Sequence, residues 1–186
     1  MTKEAAAVIQ IPEKLLETAE MEHFESTLPL EELASGPDTY AFAGPIAWSV
    51  DVTNTGDAIL VQGKSTADAT TACARCLEDV AYRLEGDIDG YFLIGGEEVD
   101  VEEPEDMEGD EFDFLPDNRK IDLAPLITSG LVLELPRVPL CSDDCKGLCP
   151  QCGKNLNEGP CDCAAEAPDG SEGPFAALKD FDFGDN

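Results

Sequence analysis

Between Tyr40 and Leu93 apolar and polar residues alternate with a period of two, and this stretch sets the expected fold class. Ile46, Trp48, Val50 and Val52 fall on one face. Asn54, Thr55, Gly56 and Asp57 make a turn, and Ile59 and Val61 begin a returning strand that runs on to Thr71. After Cys73–Leu77 the alternation resumes at Val80, Tyr82 and Leu84 and continues through Ile88, Gly90 and Phe92. Strands of this length joined by short turns predict an antiparallel meander or a partial barrel, with Trp48 as a core aromatic. Ahead of it, Ala7–Ile11 reads as an edge strand. Pro12–Phe24 carries Leu15, Leu16 and Ala19 at helical spacing, which predicts a short helix with His23 at its surface. Leu28–Leu33 with Ser35, Gly36 and Pro37 reads as a turn.

A different pattern follows the meander. Asp122 is placed to cap a helix, with Pro125 in its first turn and Leu123, Leu126, Ile127, Leu131 and Leu135 on one face; Pro136 ends it. Pro136 and Pro139 then hold the chain extended up to Cys141. The expected class is α+β: a meander or partial barrel with one or two packed helices and a C-terminal zinc knuckle. Three regions are expected: a core over 1–145, the knuckle over 146–163, and a linker with a short helix around Phe175, Leu178 and Phe181 over 164–186.

Charge changes the picture at two points. The stretch near 95–118 is acidic and poor in large apolar residues, so it reads as a solvated mobile loop, without the ligand spacing of a calcium loop. The whole chain of 186 residues carries 11 Lys and Arg against 41 Asp and Glu, a formal net charge of −30. Such a surface repels nucleic acid, whose binding depends on cations displacing counterions, and it attracts basic proteins. DNA binding is not expected, and direct RNA contact is expected to be weak or indirect. The N-terminus shows no secretory signal and no stretch reads as a membrane span, so a cytoplasmic location without membrane contact is expected.

The candidate chemistry lies in the cysteines. Six of eight fall in LCSDDCKGLCPQCGKNLNEGPCDC, Leu140 to Cys163, and the other two in CARC, Cys73 and Cys76. Close pairs of thiolates are how a turn-rich segment builds a tetrahedral zinc site, and reduced cytosolic thiols favour metal over disulfide. Cys149 and Cys152 form a CPxCG knuckle that closes locally with Cys161 and Cys163. Cys141 and Cys145 are then left to pair with Cys73 and Cys76, at the tip of the predicted hairpin. A ribbon of Cys141, Cys145, Cys149 and Cys152 is the other arrangement that spacing permits. The first arrangement leads to the expectation of two structural zinc ions, each closed by four thiolates with no position open to water, whereas the ribbon leaves the other four cysteines less committed. Arg75, Arg137, Lys146 and Lys154 lie near the cysteines and offset thiolate charge. No nucleophile and base constellation, phosphate loop or HExxH motif is present, so no enzymatic activity is expected.

CARCL, followed by LELPRVPLCSDDCKGLCPQCGKNLN and a trailing CDC, resembles the YceD family of large ribosomal RNA subunit accumulation proteins. The resemblance runs from about Ile9 to Cys163 and is specific from Leu133 to Cys163. It implies a non-catalytic factor in ribosome biogenesis. The tail departs from the family pattern, with Glu172, Gly173, Pro174 and Phe175 where relatives carry an Asp-Pro-Arg. Joined to the net charge, the resemblance leads to an expected partner that is a large-subunit precursor or a basic ribosomal protein. Two other classes remain open: a thiol-disulfide oxidoreductase centred on CARC, and a zinc-ribbon module associated with transcription.

Overall fold

A computed structural model describes residues 7–95 and 113–165. Its centre is the predicted meander. β5 (Ile46–Asn54), β6 (Ala58–Ala72) and β7 (Asp79–Leu93) pair antiparallel in sequence order, with Val52 opposite Val61 and Gly63 opposite Ile88. Along β5 every second residue from Ile46 to Asn54 is buried, as the alternation requires when one face of a sheet meets a core. The turn at Thr55–Asp57 is tight: the Gly56 N–H donates to Asn54 Oδ1, and the Asn54 amide donates to the carbonyl of Leu15. That satisfies a buried polar side chain and anchors the N-terminal segment to the sheet.

Four further strands extend the sheet. β2 (Met21–Leu28) pairs with β5 along its whole length, while β3 (Glu32–Ser35) and β4 (Asp38–Phe42) form a hairpin that joins β6 at Ala69 and Thr70. β8 (Asp113–Phe114) runs parallel to β7 at Phe92 and Leu93. β1 (Val8–Gln10) and β9 (Lys120–Asp122) make a separate two-stranded ladder. The result is mostly antiparallel sheet with one α-helix, consistent with the α+β class.

The helix, α1 (Ala124–Glu134), lies against β7 and β6 and buries Ile127 and Leu131, with Leu123 buried just ahead of it. Together with Ile9, Ile11, Leu15 and Ile121 these residues join the inner faces of β5, β6 and β7 in one apolar core. Two glycines let α1 come close. A Cβ built on Gly86 would sit 2.6 Å from the Gly130 carbonyl carbon, and one on Gly130 would run into the Asp87 carbonyl.

The structure corrects four sequence expectations, one of them the turn read over Leu28–Leu33 with Ser35, Gly36 and Pro37, in which Glu32–Ser35 is a strand held by its pairing with β4. Pro12–Phe24 is not a helix: a single 3-10 turn, Glu13–Leu16, is followed by Ala19 with a left-handed φ of 68°, and the chain enters β2. Pairing with β5 outweighed local helical spacing, because β2 buries little on either face and so carries no alternation to read. Asp122 is not the N-cap: Leu123 occupies that position, and Asp122 Oδ1 accepts from the Ala124 N–H instead. Within the acidic stretch expected to be a loop, Asp113–Phe114 is a strand. Residues 96–112 of that stretch, and the expected C-terminal helix, lie outside the described residues.

Candidate metal centres

The hairpin between β6 and β7 ends in Cys73-Ala74-Arg75-Cys76-Leu77, and the C-terminal segment carries Cys149-Pro150-Gln151-Cys152-Gly153. The two turns have the same backbone. The Leu77 N–H donates to the Cys73 carbonyl and the Gly153 N–H to the Cys149 carbonyl, both at 2.9 Å. The Cys73 N–H donates to Glu78 and the Cys149 N–H to Lys154, both at 2.8 Å. Residues after the second cysteine are left-handed in each, with φ of 63° at Leu77 and 73° at Gly153. Glycine adopts that conformation freely, whereas leucine is strained in it.

Each turn faces a second pair of thiols. Cys73, Cys76, Cys141 and Cys145 form one group and Cys149, Cys152, Cys161 and Cys163 the other, with all sulfurs of a group within 4.8 Å of one another. The structure therefore has the local and the long-range grouping, and not the ribbon of Cys141, Cys145, Cys149 and Cys152. In the first group Cys73 Sγ lies 3.8 Å from Cys145 Sγ, and Cys76 Sγ lies 3.6 Å from Cys141 Sγ. Four thiolates at about 2.3 Å from a tetrahedral zinc ion stand about 3.8 Å apart, so the donor set fits such an ion in number, type and spacing. All eight cysteines are free.

The first group is built from distant segments. Pro136 and Pro139 hold the chain after α1 extended, and it passes beside the hairpin tip: the Ala74 N–H donates to the Pro139 carbonyl, and Tyr82 Oη bonds both the N–H and the carbonyl of Leu140. Cys73, Cys76 and Cys145 are buried with Val80, Leu140 and Leu148 in a small second core. Arg75 reaches across, its Nη1 donating to the carbonyls of Asp143 and Cys145. Of the other cations expected to lie near the thiols, Lys154 donates to the Pro160 carbonyl, and the Lys146 backbone N–H donates to Asn157 Oδ1.

Asn157, which reads in the sequence as a turn residue, has a further role in the structure. It sits between the cysteines of the second group, yet its amide donates to Cys145 Sγ of the first at 3.3 Å, and its own N–H is held by Asn155 Oδ1. Asn155 in turn pairs with Leu148 and reaches Glu78 beside the hairpin tip. The two groups thus share one hydrogen-bonded frame. An Asn between Gly-rich turns reads as a turn former, and no local signal reveals its partner.

The close thiols separate their proton affinities. Burial works to raise the Cys73 thiol, but N–H groups of Cys76, Arg75 and Cys141 outweigh it and hold it at about 6. The N–H groups of Cys152 and Gln151, with the Cys161 thiol, bring Cys149 down to about 6. Cys76 goes up to about 12: the Glu78 N–H works against the rise, and burial with the neighbouring sulfurs drives it. Hydrogen bonding with Cys152, then burial, pushes Cys163 up to about 11. The Asn157 amide also lowers Cys145, so each group has at least one easily ionised thiol beside others whose charge a cation must neutralise, which is the electrostatic form of a metal site.

Comparison with known proteins adds the ancestry. Residues 61–182 match the family model of large ribosomal RNA subunit accumulation protein YceD, a span that takes in all eight cysteines. The chain belongs to the YceD family. Among relatives, large ribosomal RNA subunit accumulation protein YCED homolog 1, chloroplastic, of Arabidopsis thaliana is 30% identical over 165 residues, 76% of this chain and 50% of its own length. The Zea mays protein of the same name is 28% identical over 186 residues, covering 75% of this chain and 62% of its own length. A Mycobacterium tuberculosis protein is 30% identical over 160 residues, 86% of this chain and 72% of the relative. The chain thus spans about half the length of the Arabidopsis relative. Among solved structures there is no significant match. Among the described residues of this YceD-family chain, no helix is long and apolar enough to cross a membrane.

Proposed function

We propose that this YceD-family chain is a non-catalytic zinc-binding factor of ribosome biogenesis that promotes accumulation of large-subunit ribosomal RNA through a basic protein partner. Family membership carries the first half of this reading, since the family is named for that accumulation. The thiol groups would hold two zinc ions, whose chemistry is to cross-link segments of chain and not to activate water. Cys73, Cys76, Cys141 and Cys145 would tie the hairpin tip to the segment after α1, so that metal affinity becomes folding free energy. The net charge of −30 supports the second half: the molecule repels a phosphate backbone and draws in a basic protein, faster at low salt.

The test is capture from ribosomal fractions on the immobilised chain at low and high salt. A basic large-subunit protein retained at low salt and released at high salt is the expected result. Recovery of deproteinised rRNA, with no basic protein retained, would sink the reading. A thiol redox centre is the second reading, and the lowered Cys73 thiol is what favours it. That thiol is fully buried at a hairpin tip, however, where a redox CxxC opens a helix with its first sulfur accessible. Native thiols that resist alkylation until chelator is added would count against it.

A further inference from the structure

Two hydrogen bonds fix which way the backbone groups of β2 point. The Asn54 N–H donates to the Glu20 carbonyl at 3.0 Å, and the Thr55 N–H to the Ala58 carbonyl at 2.9 Å. In an antiparallel ladder bonded pairs alternate with unbonded ones. On β5, therefore, Ile46, Trp48, Val50 and Val52 turn their N–H and C=O groups to β2, and the residues between them turn to β6. On β2, Glu22, Phe24, Ser26 and Leu28 face β5. Met21, His23, Glu25 and Thr27 point four N–H and four C=O groups the other way, along about 20 Å of edge at the usual rise per residue. Among the described residues no strand pairs with that edge. The long β7, by contrast, is met by β8 at one end and lies against α1.

The side chains around this edge have one sign. Between residues 13 and 32 seven glutamates stand against one lysine, Lys14, which is paired with Glu20. Asp51 lies beside His23 on the neighbouring strand. Apolar burial does little to hold β2: Leu28 is buried, Phe24 is half-buried, and Met21 is 64% exposed. Next to Glu25 and Thr27 the outer face is hollow, with about 470 Å³ of space floored by Ala47, Ser49 and Thr66 and bordered by Lys64, whose charge is paired with Asp87. Charges on an edge strand ordinarily guard against pairing with other chains. Acidic side chains alone guard against a second copy of this chain at −30, but they favour a cationic strand.

We propose that the free edge of β2, at Met21, His23, Glu25 and Thr27, is a docking site for an extended basic segment of a protein partner, which adds to the sheet as one more strand. Main-chain bonds supply affinity in such β-addition, and side-chain charge supplies selectivity. This rests on the reading that the partner is a basic protein, and it names the surface that meets it.

The experiment uses the full chain loaded with zinc and a ten-residue peptide of alternating lysine and valine with blocked ends, followed by amide hydrogen exchange. The peptide should slow exchange at least tenfold at Met21, His23, Glu25 and Thr27, while the amides of Glu22, Phe24, Ser26 and Leu28 stay slow throughout. His23→Pro removes one outward N–H and no main-chain bond to β5, as proline on an edge strand can, and it also removes the imidazole bond to Asp51, which His23→Ala removes alone as the control. The proline variant, unlike the alanine control, should weaken the peptide at least tenfold with melting temperature and metal content unchanged. Replacing lysine by glutamate in the peptide should abolish binding. Equal binding by His23→Pro would overturn the proposal, since charge alone would then suffice. So would outward amides of Met21, His23, Glu25 and Thr27 that are already slow without peptide: independent of concentration, they mean a cover from the chain itself; dependent on it, a second copy. Should His23→Pro unfold, the alternation in exchange rates decides by itself. Peptide failure with a basic ribosomal protein still captured refutes this edge and not the function; peptide binding without that capture refutes the function and not the edge.

Discussion

Leu77 and Gly153 hold the same place in two turns of one design, and only one of them suits it. Leu77 is 65% exposed, so its side chain adds little burial to offset a left-handed backbone. Leu77→Gly should stabilise the metal-loaded protein by about 1 kcal/mol, read as a higher denaturant midpoint at unchanged slope. A loss of stability would show that the leucine makes a contact worth more than its strain. Asn157 is the complementary case, a residue whose role lies in its side chain. Its amide supports the Cys145 sulfur, and such outer partners typically change metal affinity by about 10–100-fold. Asn157→Leu should therefore weaken the site of Cys73, Cys76, Cys141 and Cys145 by about that factor, although Asn157 lies within the sequence of the other site. Competition with a chromogenic chelator would measure it, and weakening confined to Cys149, Cys152, Cys161 and Cys163 would be the wrong result.

Elements with one buried face announced themselves, and elements defined by distant pairing did not. β5, β6, β7 and α1 were readable because Ile46, Trp48, Val50 and Val52, and then Ile127 and Leu131, repeat at the period of their element. Residues 21–24, the first half of β2, read as helix because the strand's register is set by β5, some 25 residues on, and seven of its eight side chains are not fully buried. The thiols were legible at both ranges: spacing indicated the local group, and the remainder left Cys141 and Cys145 to meet Cys73 and Cys76 at the predicted hairpin tip, where the structure has them. The crossing of α1 over β7 was invisible, since Gly86 and Gly130 reveal their purpose only in contact. Gly130→Ala should cost about 1–3 kcal/mol, because the added methyl meets the Asp87 carbonyl and helix and strand must separate. An unchanged melting temperature would show that the crossing is loose.

At the scale of the whole molecule, acidity and metal act together. Zinc must displace protons from thiols such as Cys76 and Cys163, which are raised to about 12 and 11 in the metal-free chain. Protons therefore compete with zinc. Apparent zinc affinity should fall about tenfold per unit of decreasing pH for each thiol that remains protonated, more steeply below about pH 6 where Cys73 and Cys149 join them. A pH-independent affinity between 8 and 6 would contradict this electrostatic picture. Salt should weaken the attraction of basic partners, since the charges of the acidic surface are exposed to screening. The most direct test of the account is metal content per chain on protein purified under reducing conditions, with chelation followed by the signal of the sheet on the same sample. Two zinc ions per chain, one in Cys73→Ser, and loss of sheet signal when chelator strips both are predicted. A chain that keeps its sheet and its hairpin tip without metal would contradict it.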